Sequence, residues 1–160
     1  MSVTRRGFLG GTAASAAVLS TGTFGLPAAQ RRRIIGANDQ LRVAVIGVRS
    51  RGRNHIGGYQ KLKGCRVVAL CDADTAFLER EAVKLKKAGT EVAQHVDYRR
   101  LLDDQDVDAV SIATPNHWHS LMVIHASQAG KDSYCEKPVS HNVWEGGQMV
   151  RAARKYKRVV

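Results

Sequence analysis

The chain has 160 residues, 44% hydrophobic and 24% charged, which allows one domain with a core and argues against a disordered, fibrous or membrane-embedded chain. Its net charge of +11 invites a nucleic-acid partner, but Lys and Arg are scattered over helix faces and loops without an aromatic-interleaved basic stripe, which argues against nucleic-acid binding. Cys65, Cys71 and Cys135 are odd in number and lack C-x-x-C spacing, so they read as small hydrophobes beside strands rather than a zinc site or a disulfide framework.

Residues 1–29 stand apart: Arg5 and Arg6, no acidic residue, then an uncharged stretch from Gly7 to Ala29. This is the composition of a targeting segment. Thr4-Arg-Arg-Gly-Phe-Leu9 resembles a twin-arginine export signal. That implies the twin-arginine export machinery as a partner, cleavage near Ala28 or Ala29, and a periplasmic product. An uncleaved membrane anchor is the alternative, disfavoured by the repeated glycines and Pro27. Residues 30–40, with Arg31-Arg-Arg33 and Gly36-Ala-Asn-Asp39, have linker composition.

From Leu41 onward short apolar runs alternate with longer amphipathic stretches. The pattern predicts strands near 41–46, 66–71, 91–96, 107–113 and 131–135, and helices near 52–62, 74–88, 98–103, 117–129 and 142–157. With right-handed crossovers this is an α/β fold built on a doubly wound parallel sheet. In the last helix Asn142 and Glu145 suggest a capping-box-like start, with Ser140 as a rival cap. Val143, Gly147 and Val150 share one face there, while Arg151, Arg154 and Lys155 project toward solvent.

Three strand ends carry candidate chemistry. The first strand runs into Gly47-Val-Arg-Ser-Arg-Gly52, a glycine turn opening a helix, where backbone N–H groups attract a dinucleotide pyrophosphate. Arg49 replaces the middle glycine of G-x-G-x-x-G. Either the phosphates lie farther out, or the guanidinium turns aside and serves them. Asp72 ends the second strand, 25 positions after Gly47, where a carboxylate accepts ribose hydroxyls and repels a 2′-phosphate. Asp72 favours NAD, while Arg49, Arg51 and Arg53 leave NADP open. The competing role for Asp72 is a helix cap, which Asp74 fits more closely.

Thr114-Pro-Asn-His-Trp-His119 follows the fourth strand, at the edge where such sheets bind ligands. His117 and His119 are spaced so that their rings do not converge on a metal, and no third ligand is evident. Trp118 reads as packing. Tyr134-Cys-Glu-Lys-Pro138 ends the fifth strand, and Lys137 is suited to donate to a substrate oxygen and assist proton transfer. Taken alone, Glu-Lys-Pro is more often a surface turn than a site.

Together, Val43-Ala-Val-Ile-Gly47 with Arg51-Gly52, Ala69-Leu-Cys-Asp72, Val107-Asp-Ala-Val110, Ala113-Thr-Pro-Asn-His117 with His119, and Cys135-Glu-Lys-Pro138 resemble the Gfo/Idh/MocA oxidoreductase family, from Leu41 to Val160. The resemblance implies a Rossmann domain binding NAD or NADP through Gly47, Val48, Arg49, Arg51, Gly52, Asp72, Thr114, Pro115, Asn116, His119 and Glu136. It further implies Lys137 as the catalytic, substrate-facing lysine of an exported dehydrogenase acting on a sugar, polyol or related compound. Exported enzymes of this kind are expected to fold with cofactor before crossing the membrane. The family adds a second α/β domain that completes the substrate pocket and often joins copies of the chain. Here the chain reaches Val160 where a sixth strand is expected, so the 160 residues alone are expected to turn over little or no substrate, and a homo-oligomer is expected only of a longer form. The competing expectation is a non-catalytic nucleotide-binding remnant.

Overall fold

The computed structural model describes residues 40–160, so the export signal, the anchor alternative and all but the last linker residue lie outside the described residues. Five strands form one parallel sheet: β1 (Leu41–Ile46), β2 (Cys65–Cys71), β3 (Ala93–His95), β4 (Ala109–Ile112) and β5 (Asp132–Cys135). Their spatial order is β3-β2-β1-β4-β5. The order reverses between β1 and β4, which places the ligand-binding crevice of a doubly wound sheet at the C-terminal ends of these strands.

The helices are α1 (Ser50–Lys61), α2 (Thr75–Lys87), α3 (Tyr98–Leu102), α4 (His119–Gln128) and α5 (Val143–Tyr156). Alternation along the strands sorts the core into two layers. Ala44, Ile46, Ala69, Cys71, Val110 and Ile112 meet Leu101, Met122, Val123, Ala126 and Met149 of α3, α4 and α5. Val45, Val67 and Leu70 meet Ile56, Leu78, Ala82 and Leu85 of α1 and α2. With each fully buried Val, Leu or Ile worth about 1.5–3 kcal/mol, these layers hold the strand ends in fixed positions.

Several boundaries differ from expectation. α1 begins two residues early, at Ser50, and α4 is preceded by a 3₁₀ turn over Asn116–Trp118. α5 is rotated from its expected phase: Val143 is 93% exposed and Val150 half-exposed, while Met149 and Ala152 face inward. The physical reason lies at its start. Glu145 Oε2 accepts a hydrogen bond from Ser120 Oγ of α4 at 3.0 Å, drawing residue 145 inward and aligning 149 and 152 behind it. Asn142 is the cap: its Oδ1 accepts from Glu145 N at 2.9 Å, and its Nδ2 donates to Glu145 Oε1. All three cysteines are free. Burial pushes the Cys71 and Cys135 thiols up to about 12, which leaves them unreactive packing groups.

Candidate functional site

The turn after β1 needs glycine at two places. Gly47 has φ +84°, and a Cβ there would meet the Ala113 carbonyl oxygen at 2.8 Å. A Cβ on Gly52 would lie 1.7 Å from the Gly47 carbonyl oxygen, so α1 can start only if this residue has none. Arg49, between them, has φ −89° and ψ 168°, ordinary extended backbone that any residue adopts. Strain falls instead on Ser50, a non-glycine at φ 34°. Arg49 makes no side-chain cap on α1, and no acidic residue stands in the first turn. The helix therefore presents its N-terminal N–H groups and positive dipole end to whatever binds outside.

The Arg49 side chain leaves the turn altogether. Its guanidinium lies 3.8 Å from the Phe77 ring centroid and pairs with Asp74 at the start of α2. Asp74 is also the cap of α2, accepting from Ala76 N at 3.0 Å and Phe77 N at 3.2 Å. Asp72 thus has no capping role. Its Oδ2 accepts from Val48 N and its Oδ1 from Asp74 N, both at 3.0 Å, which ties the glycine turn to the end of β2. Each oxygen retains a lone pair for a further donor.

These groups border a cleft of about 660 Å³ at the C-terminal edge of the sheet. One wall is Ile46, Gly47, Arg49, Cys71, Asp72 and Ala73, and another is Ala113, Thr114, Pro115, Trp118 and Met122. A third, Val96 to Arg99, escapes the sequence reading. Its signal was present: it follows β3 as Asp72 follows β2 and Thr114 follows β4. Tyr98 meets Trp118 edge-on at 6.4 Å and bonds through its hydroxyl to His125 Nδ1 at 2.9 Å. Trp118, expected as packing, is 42% exposed and forms cleft wall. At the rim, hydrogen bonds from Arg99 hold the Asp97 carboxyl down to about 2.

The β5 end is built differently. Glu136 is buried; its Oε1 accepts from Arg51 Nε at 2.7 Å and His55 Nε2 at 3.0 Å, and its Oε2 accepts from Lys137 N at 3.0 Å. The Arg51 hydrogen bond, then that from His55, lowers the Glu136 carboxyl to about 2. Because a carboxylate only accepts, Nε2 of His55 carries hydrogen, and its Nδ1 lies 2.9 Å from the buried Ser111 Oγ. The chain of bonds connects α1, β4 and β5 around one buried acid.

His119 is also buried, with Nδ1 2.8 Å from the Pro138 carbonyl oxygen and Nε2 2.8 Å from that of Thr114. The side chains of His119 and Glu136, both expected to touch cofactor, bond to protein here: one straps the Lys137-Pro138 turn to the Thr114 turn, the other clamps it to α1. Of the expected cofactor residues, Gly47, Arg49, Asp72, Thr114 and Pro115 line the cleft. Val48 and Gly52 are buried in the turn behind it, while Arg51, Asn116, His119, Glu136 and the exposed catalytic candidate Lys137 lie outside its lining. Among the described residues no three His, Cys, Asp or Glu side chains converge as a metal site.

Residues 41–160 match the family model described as "Oxidoreductase family, NAD-binding Rossmann fold", GFO_IDH_MocA. Among curated proteins, the chain is 33% identical over 130 residues to a "Glycosyl hydrolase family 109 protein 2" of Shewanella sp. (strain ANA-3), covering 78% of this chain and 28% of that protein. Among solved structures it resembles an NAD binding oxidoreductase from Klebsiella pneumoniae, with 37% identity and TM-score 0.67, covering 74% of this chain and 33% of the other. It also resembles the WlbA dehydrogenase of Chromobacterium violaceum in complex with NADH and UDP-GlcNAcA, with 28% identity and TM-score 0.69, covering 81% and 37%. The chain spans under two-fifths of each of these relatives. It belongs to the Gfo/Idh/MocA oxidoreductase family, and residues 41–160 form an NAD-binding Rossmann fold of that family.

Proposed function

We propose that this member of the family is the cofactor-binding part of an exported NAD(P)-dependent oxidoreductase that acts on a sugar, polyol or related compound and prefers NAD. The observation that carries the reading is the Gly47–Gly52 turn: two positions closed to any Cβ place the open N-terminus of α1 beside a cleft whose other polar wall is Asp72. Those residues fit a dinucleotide. The turn N–H groups would hold the pyrophosphate and Asp72 the adenosine ribose, with Tyr98 and Trp118 as an apolar wall. The nicotinamide supplies hydride transfer when bound.

Lys137, exposed at the end of β5, is assigned to donate to the substrate oxygen. Glu136 accepts from the Lys137 backbone N–H, and His119 holds the carbonyl of the next residue, Pro138. A sugar-like substrate is supported by the names of the relatives, one a glycosyl hydrolase and one a dehydrogenase in complex with UDP-GlcNAcA. Export through the twin-arginine route is supported by Thr4 to Leu9 and the uncharged stretch behind them.

The Shewanella relative favours a second reading, glycoside cleavage without net oxidation. A panel of sugars, polyols and glycosides assayed with the longest natural form of the protein separates the two. NADH accumulating in step with product supports the dehydrogenase, and product release with no change in nicotinamide absorbance supports glycoside cleavage. Absence of turnover by a natural form no longer than 160 residues would favour a nucleotide-binding module.

A further inference from the structure

Both cations that line the cleft are held by acids of the same chain. Arg99 Nη2 lies 2.7 Å from Asp97 Oδ2, and Arg49 pairs with Asp74 over the Phe77 ring. Behind them Arg80, whose guanidinium lies 4.1 Å from the same ring, approaches the buried Glu81 at 3.6 Å, and Arg53 approaches it at 3.8 Å. Asp72 is different: the bonds that fix it come from two backbone N–H groups, which orient its carboxylate without bringing a full counter-charge. A ribose with free hydroxyls suits such a group as a donor. A 2′-phosphate brings further negative charge to a wall that already carries Asp72, with Asp74 two residues on, and it needs a cation there.

Arg49 is the cation at that place. Its backbone adjoins Val48, whose N–H binds Asp72, and its side chain ends on Asp74. On the reading that this cleft takes a nicotinamide dinucleotide, we propose that Asp74 is a specificity-determining residue acting through Arg49. By drawing the guanidinium across Phe77, it withholds the cation a 2′-phosphate would use and turns the cleft toward the cofactor without that phosphate. Asp72 rejects the phosphate directly, and Asp74 does so by occupying its partner.

The test measures NADH and NADPH dissociation constants by calorimetry on the full chain. Asp74→Asn keeps an acceptor for Ala76 N and Phe77 N, so the cap of α2 is preserved while the charge that holds Arg49 is removed. Relative to NADH, NADPH is expected to bind about tenfold more tightly to Asp74→Asn than to the unsubstituted chain. In an Arg49→Gln background the same substitution is expected to move the ratio by less than about threefold. Phe77→Leu, which removes the ring beneath the guanidinium and leaves both charges, should shift the ratio in the same direction by a smaller factor. It supplies the test if Asp74→Asn does not fold.

NADH binding with an unchanged ratio in Asp74→Asn overturns the proposal. A gain that persists undiminished without Arg49 overturns it as well, since the charge of Asp74 would then act alone. If the unsubstituted chain binds neither nucleotide, the cofactor reading falls and the proposal with it.

Discussion

The two halves of the C-terminal sheet edge use charge in opposite ways. Around the cleft at β1, β2 and β3, ion pairs stand at the surface: Arg49 and Asp74 expose 49% and 38% of their side chains, and Arg99 and Asp97 expose 71% and 39%. At β5 the acid is enclosed, with His55 and Glu136 side chains at 7% and 8%. Exposed pairs contribute little to stability and exchange partners readily, whereas a buried acid that loses a partner leaves uncompensated polar groups. The first arrangement suits a place where a ligand must be admitted or refused. The second suits a turn, here the one carrying Lys137, whose position must not vary.

The harshest challenge to the cleft half is Gly52→Ala, because the added Cβ would lie 1.7 Å from the Gly47 carbonyl oxygen and neither backbone can yield without opening the turn. We expect a loss of about 3 kcal/mol or more, read as a large fall in Tm or failure to fold. In the β5 half, His55→Ala removes both its bond to Glu136 and its bond to Ser111, leaving buried acceptors and a void. A loss of about 2–3 kcal/mol in denaturant unfolding is expected, and a loss below about 0.5 kcal/mol would show that the network is not a rigid clamp.

Acid separates the two regions further. Glu136 is lowered in the folded chain from 4.5 to about 2, so its contribution is complete above the ordinary carboxylate range and is lost as pH falls through that window. Glu136→Gln should be less stable at neutral pH and show a flatter decline between those values. At the exposed end, effects should shrink. Asp74→Ala costs the α2 cap, about 1 kcal/mol, while Asp74→Asn should leave Tm nearly unchanged, so that any effect of the latter on cofactor choice is separate from stability.

β1, β2 and β4 were legible because the sheet is covered on both faces there, so each reads as a short, mainly apolar run ending in a marked turn, whereas β3 (Ala93–His95) and β5 (Asp132–Cys135) carry polar residues and were read from the alternation of strands with helices. Gly47, Gly52 and Asp72 were legible for a related reason: sterics and strand ends constrain single positions strongly. The bonding partners of Glu136 and His119 were not. Both residues lie at ligand-facing strand ends, yet their side chains are directed by groups 81 and 85 positions away in one case and by main-chain carbonyls in the other. The phase of α5 was hidden likewise, since Val143 and Val150 mark an apolar stripe but the contact of Glu145 with Ser120 decides the rotation. Arg49 looked like a defect in the glycine turn. Its extended backbone and its pairing with Asp74 show that the turn accepts it without distortion of its own φ.

On the proposed function, the cleft bounded by Gly47, Asp72 and Trp118 takes a nicotinamide dinucleotide. Titrating NADH into the full chain while following energy transfer from tryptophan to the nicotinamide, with Trp118→Phe and Asp72→Ala as comparisons, decides whether it does. Saturable transfer that is largely lost in Trp118→Phe, with at least about tenfold weaker binding in Asp72→Ala, is the predicted result. Equal NADH affinity with and without the Asp72 carboxylate, or no saturable transfer at all in the unsubstituted chain, would contradict it.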